Sequence, residues 1–190
     1  MLDGNAIVLQ EIMPESIEQL RCWRNDPELR QYFREWKDIT PDQQTKWYRE
    51  RGNNTDPQHV YFQIMLKDQM ALAENDAIKQ RQLIGCCGVL NINWRIRTGE
   101  LSIFLGPAFH GLGLGRETLE LLTRYAFEEC NLHKFWGECY DSNDAIKLYT
   151  GVGFKIDGTI RDSWFHNGKY GGSYIFSILE NEWREKYGTI

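Results

Sequence analysis

The stretch HGLGLGRETLELL, His110 to Leu122, sets three glycines at alternate positions directly ahead of a leucine-spaced segment with helical periodicity. The first N–H groups of a helix have no intrahelical partner and sit at the positive end of its dipole, so such a junction suits an anion, a phosphate above all. Glycines let the amides approach the ligand with no Cβ in the way. Two phosphate motifs are excluded by what stands at their key positions. A P-loop needs GxxxxGK[ST], and Gly111 to Arg116 has no lysine and hydroxyl pair. A dinucleotide fingerprint counted from Gly111 meets Arg116 where Gly or Ala is required, and counted from Gly113 it meets Thr118. Neither a nucleoside triphosphate nor NAD is indicated.

Downstream stands a second constellation, Asn143-Asp144-Ala145-Ile146-Lys147-Leu148-Tyr149, followed by Gly153-Phe154. Asparagine is a good helix cap, and a tyrosine with an ordinary pKa near 10 carries a proton it can donate at neutral pH. Together with His110-x-x-Gly113-x-Gly115, this segment resembles the GNAT superfamily of acetyl-CoA-dependent N-acetyltransferases. The first motif is similar to that family's [Gln/Arg]-x-x-Gly-x-[Gly/Ala], with His110 in place of Gln or Arg. The second is similar to its N-x-x-[Ala/Ser]-x-x-Leu-Tyr…Gly-Phe. The likeness runs from about Leu83 to Trp183. GTIRDSWFHNGKYGGSYIFSILENEW and WRNDPELR resemble the branch that contains spermidine, ribosomal-protein and amino-sugar acetyltransferases. In that branch an acidic residue often follows Gly-Lys-Tyr, where this chain has Gly171-Gly172.

The resemblance implies a division of labour. His110, Gly111, Leu112, Gly113, Leu114, Gly115 and Arg116 would cradle the CoA pyrophosphate, mainly through backbone amides. The backbone at Ile103, Phe104 and Leu105 would bond the pantetheine arm as an added strand, with Phe104 packing at the thioester and Asn143 bonding the arm. Tyr149 would protonate the departing thiolate, and Glu100 would deprotonate the amine through water. Glu138 is the alternative base. His110 belongs to the phosphate end and a lone histidine such as His133 is usually structural. Trp23, Arg24 and Arg30 would contact the acceptor and would suit a phosphorylated amino sugar, the acceptor this reading leans to; surplus acidic residues would suit a polyamine, and an aminoglycoside-like amine stays open. Direct transfer is expected, with no metal. None of the five cysteines lies in the glycine loop or beside a histidine partner, which argues against an acetyl-cysteine intermediate.

Elements at matching places must position these groups. Ala6 to Ile12 reads as a strand, and Ser16 as the cap of a helix broken by Pro27. Thr40 and Pro41 start a helix running to about Arg51. Strands are expected over Tyr61–Lys67, Leu83–Asn91, Glu100–Leu105, Lys134–Tyr140, Phe154–Ile160 and Ser173–Leu179. Helices are expected over Gly111–Cys130 and Asn143–Tyr149. The polar stretch Asp68–Gln82 reads as a long loop or a short inserted helix. The whole is one α/β (α+β) domain over 1–190. The resemblance makes it a GNAT fold, a mixed, largely antiparallel, splayed sheet flanked by helices.

Composition sets the outer bounds. The chain has 190 residues, 42% of them hydrophobic and 13% aromatic, as expected of a packed globule. No apolar run approaches the roughly 20 residues that cross a bilayer, and the first residues resemble neither a signal nor a transit peptide, so the expected setting is cytoplasmic. A net charge of −5 disfavours nucleic acid. Cys22, Cys86, Cys87, Cys130 and Cys139 form no CxxC pair and read as reduced thiols. The expected partners are acetyl-CoA and a small-molecule amine, or a protein N-terminus. Oligomeric state stays open, a homodimer included. The reading from another class is a non-catalytic acyl-CoA-binding module, which would need the glycine loop but not Tyr149.

Overall fold

The structure, a computed structural model, describes residues 1–67 and 81–188. Eight strands form one sheet in the order β1-β2-β3-β4-β5-β6-β8-β7. They are β1 (Leu2–Asp3), β2 (Ile7–Gln10), β3 (Val60–Leu66), β4 (Gln82–Asn93), β5 (Thr98–Leu105), β6 (Lys134–Tyr140), β7 (Lys155–His166) and β8 (Lys169–Leu179). Neighbouring strands are antiparallel except β5 and β6, which run parallel. This is the mixed, mostly antiparallel sheet expected. Of the expected 68–82 stretch, residues 68–80 lie outside the described residues, and Gln82 already belongs to β4.

The parallel pair positions the site. Thr98, Gly99 and Glu100 are matched with Lys134, Phe135 and Trp136, and there the pairing stops. Beyond Glu100, β5 continues against β4 alone, while β6 continues against β8. The sheet therefore opens between Leu101–Leu105 and Gly137–Tyr140. Outward peptide groups along that stretch of β5 have no strand partner, and unpaired strand edges bind extended chains.

Helices cover both faces. Under α4 (Leu114–Glu128), α5 (Ala145–Val152) and α6 (Glu180–Tyr187) lies the larger core, which includes Ile64, Leu119, Leu122, Phe127, Phe135 and Phe176. Thr118 and Thr123 join that buried face because their hydroxyls donate to the carbonyls of Leu114 and Leu119, at 2.8 and 2.7 Å. The opposite face carries α1 (Ile17–Asn25) and α3 (Pro41–Trp47) over a smaller cluster of Ile12, Leu20, Tyr61 and Cys86. Thr40 starts α3 as expected, in a reciprocal capping box with Gln43. Among the described residues, no helix is long and apolar enough to cross a membrane.

Several local expectations are corrected. Ser16 makes no side-chain cap; it is buried at the end of a 3-10 turn, Pro14–Ser16, that leads into α1. The helix broken by Pro27 restarts at once as α2 (Pro27–Arg30), because the Asp26 side chain accepts the Glu28 N–H at 2.8 Å. The expected helix from Gly111 begins only at Leu114, since Gly111 and Gly113 take φ of 75° and 79°. The last two strands are longer than expected and meet in a hairpin whose turn, Asn167-Gly168, has φ of 49° and 77°. α6 was not anticipated; the Glu182 carboxylate accepts the Leu179 N–H at 3.0 Å at its start.

Candidate active site

The glycine turn lies where β5 ends and α4 begins, at one end of the opened strand pair. The N–H groups of residues 111–115 have no hydrogen-bond acceptor among the described residues, whereas Arg116 N–H is taken by the Gly113 carbonyl at 3.1 Å. A Cβ on Gly111 or Gly113 would meet no protein atom within 4 Å, so the space above them is open. Glycine is required there by left-handed φ rather than by crowding. Gly115 differs, because its Cβ would press on Leu148 Cδ2 at 3.3 Å. Five free amides at the N-terminus of a fifteen-residue helix fit a phosphate-bearing ligand such as acetyl-CoA.

The side chains of this turn face elsewhere. His110 Nε2 lies 3.0 Å from the Leu105 carbonyl and ties the turn back to β5. Arg116 reaches the Gly151 carbonyl at 3.3 Å and Glu120 at 3.5 Å, and so joins α4 to the end of α5. For these two residues the expectation of a ligand-facing group is corrected: the His110 ring and the Arg116 guanidinium and amide are engaged with protein.

At the other end of the opening, Glu100 and Glu138 face each other on the side that carries α1 and α3. Alternation along the strands puts Glu100 with Phe104 and Glu138 with Tyr140 on this face. Glu100 is buried; its Oε2 accepts from Asn91 Nδ2 at 2.6 Å. Asn91 is aimed there by a bulge in β4 between Leu90 and Asn93, and it takes φ of 49°, a conformation asparagine tolerates. Glu138 Oε1 accepts from Ser173 Oγ at 2.6 Å, and Ser163 donates to Ser173 at 2.8 Å. Arg34 closes the group, with one terminal nitrogen 2.7 Å from Glu100 Oε1 and 2.9 Å from Glu138 Oε2. Burial works against the Arg34 charge, and the two carboxylates more than offset it, so the guanidinium is held above its ordinary pKa. Glu100 and Glu138 were legible as alternatives; the structure brings them together, and Arg34, Asn91 and Ser173 are additions that sequence reasoning missed.

Tyr149 lies on the other face. It stacks on Phe176 at 4.4 Å between centroids, and its hydroxyl has no hydrogen-bond partner among the described residues. Burial, and then proximity to Cys139, push the phenol well above its ordinary pKa, so it keeps its proton throughout the neutral range. Asn143 Oδ1 accepts the Ala145 N–H at 2.9 Å from just ahead of α5, whose N-cap position is Asp144 and not Asn143, and its amide NH2 is free among the described residues. Cys139 is the thiol beside this group, and burial pushes it up to about 11. At pH 7 roughly one thiol in 10⁴ would then be the nucleophilic thiolate.

The acceptor residues expected near the N-terminus are already engaged. Arg24 is paired with Glu35 at 2.7 Å and Arg30 with Asp38. Trp23 packs over Gly106 and edge-on to Phe109, beside the glycine turn and not at the carboxylates. The expectation that these three present cationic and aromatic groups to an anionic acceptor is corrected accordingly. Among the described residues no group of three or more His, Cys, Asp or Glu side chains is placed to hold a metal ion.

A sheet that parts toward the free amides of a helix start can hold an extended arm along one strand edge and a phosphate group at the helix. Residues 6–155 match the family described as the acetyltransferase (GNAT) domain, and the chain belongs to that family. It is an acetyl-CoA-dependent N-acetyltransferase. It is similar to spermidine N(1)-acetyltransferase of Vibrio cholerae, 30% identical over 105 residues that cover 55% of this chain and 61% of that one. It is also similar to spermidine N(1)-acetyltransferase of Escherichia coli K12, 23% identical over 76% of this chain and 85% of that one. A similar solved structure is spermidine N-acetyltransferase from Vibrio cholerae in complex with CoA and spermine. That match has a TM-score of 0.82 and 22% identity, and covers 94% of this chain and 98% of that one.

Proposed function

We propose that this chain transfers the acetyl group of acetyl-CoA directly to a primary amine of a polyamine. The observation that carries the reading is the convergence of Glu100 and Glu138 at the mouth of the opening. A polyamine brings the reacting ammonium and others beside it, and a buried and a half-buried carboxylate, each held by a neutral donor, are suited to receive such cations. The names of the relatives, and the spermine bound to one of them, support the same acceptor class. An amino sugar phosphate is less well served, because Arg24 and Arg30 are spent on Glu35 and Asp38.

In this reading the N–H groups of 111–115 hold the pyrophosphate of acetyl-CoA. The open edge of β5 at Ile103, Phe104 and Leu105, with the free amide of Asn143, holds its arm. The thioester then lies between the two faces of the sheet. Glu100 takes the proton from the acceptor ammonium through water, which frees the nitrogen lone pair. As the N–C bond forms and the C–S bond breaks, Tyr149 gives its proton to the sulfur. It recovers one as the new amide nitrogen sheds its own. Counted from the ammonium, nitrogen gains one acetyl group and loses two protons: one reaches sulfur by way of Tyr149, and the other leaves from Glu100 to solvent. Cys139 stays a thiol and takes no acetyl group.

The test is thiol release by purified protein with acetyl-CoA and a panel of amines: spermidine, spermine, an amino sugar phosphate and a peptide with a free N-terminus. The expected result is a polyamine as best acceptor. A preference for the sugar phosphate would move the reading to that class. Acetyl-CoA binding without turnover anywhere in the panel would make the chain an acyl-CoA-binding module.

A further inference from the structure

We infer that Arg34 tunes acceptor affinity: its guanidinium is a built-in cation that an incoming ammonium displaces from Glu100 and Glu138. This rests on the polyamine reading of the same site. Each carboxylate has one oxygen spoken for by a neutral donor, Glu100 Oε2 by Asn91 and Glu138 Oε1 by Ser173. The two oxygens left over, Glu100 Oε1 and Glu138 Oε2, converge on a single nitrogen of Arg34. Two fixed acceptors converging on one N–H-bearing cation make a position an ammonium nitrogen can equally take.

The acceptors are fixed and the donor is not. The side chains of Glu100 and Glu138 are 9% and 17% exposed, on strands, whereas that of Arg34 is 58% exposed. Arg34 belongs to the segment after α2 that has neither helix nor strand. The backbone around it is nevertheless tied down. Phe33 packs edge-on against Phe104 at 5.5 Å, and Glu35 and Asp38 hold Arg24 and Arg30. The guanidinium can therefore swing out while its segment stays in place. With Arg34 in, two carboxylates and one guanidinium carry a net charge of −1; with it out, the mouth carries −2. Displacing the guanidinium costs every ammonium the same, so the resident cation weakens acceptor binding as a whole, while the charge of −2 left behind attracts substrates with several ammonium groups.

A group that merely held the carboxylates in place would show the opposite kinetics, because its loss would disorder the mouth and weaken acceptor binding. The experiment uses the whole chain with R34A and R34K, spermidine as probe, and two readouts. These are KM and kcat at saturating acetyl-CoA, and calorimetric spermidine binding to CoA-loaded protein. R34A is expected to lower KM and the calorimetric Kd together by about three- to fivefold, the scale of a partly exposed ion pair, with kcat changed by less than about twofold. R34K keeps a cation in place and is expected to stay close to the parent. Unchanged or weaker spermidine binding by R34A overturns the inference, as does an R34K variant that behaves like R34A. A parent protein that turns over no polyamine counts against the polyamine reading, and the calorimetric comparison of R34A with the parent still decides the role of Arg34.

Discussion

At the 111–115 end of the opened strand pair, the groups turned toward the ligand space are bare backbone amides, and the nearby side chains of His110 and Arg116 are engaged with the protein's own carbonyls. At the Glu100–Glu138 end the ligand-facing groups are side chains, and each is held by a second side chain from another part of the chain. A backbone site depends on the φ angles its residues permit and tolerates changes of side chain. A side-chain site depends on the partners that aim it. In the proposed function this difference would separate the two substrates: the invariant part of acetyl-CoA would meet the main chain, and the acceptor would meet replaceable groups.

Tyr149, on the opposite face from the carboxylates, offers the largest expected effect. Its ring packs on Phe176 and only its hydroxyl is free, so Tyr149→Phe should lower kcat by about 10²-fold while acetyl-CoA affinity stays close to the parent's. A single-turnover measurement that found the chemical step unchanged would remove Tyr149 from the proton path. Next comes the backbone end. Gly113→Val forces a β-branched residue to φ of 79° and puts methyl groups into open ligand space, so calorimetry should show acetyl-CoA affinity down at least about tenfold. The smallest effect belongs to His110→Ala. It loses one hydrogen bond to Leu105, so about 1 kcal/mol of stability should go while acetyl-CoA affinity changes by less than about threefold. If His110→Ala weakened affinity as much as Gly113→Val, side chains would be shown to hold the cofactor and the contrast between the ends would collapse.

The same contrast governs how much could be read from the chain alone. The backbone end was legible because left-handed turns write themselves as glycine, and α4 because leucines recur at helical spacing over Leu114–Leu122. Most strands were legible from apolar runs. The mouth was only half legible. Glu100 and Glu138 stand on recognisable strands, but nothing local in the sequence joins them to Arg34, which is 104 residues from Glu138, or joins Ser173 to Glu138 across 35 residues. Sheet register creates these contacts. Asn91 has a faint signal, an asparagine in an interrupted strand pattern, and the hairpin a plainer one in its Asn167-Gly168 pair. The charged neighbours Glu35 and Asp38 concealed that Arg24 and Arg30 were already paired.

In the proposed mechanism Glu100 is the group that takes the acceptor's proton. The most direct test is the pH–rate profile of Glu100→Gln, measured on kcat/KM for the best polyamine beside the parent. Gln keeps the size of the side chain and the bond to Asn91 while removing the base. The variant must then rely on amine already neutral in solution, so the acidic limb should move to higher pH and part of the lost rate should return as pH rises. A Glu100→Gln profile that overlays the parent's would contradict the account and leave Glu100 as a buried structural carboxylate.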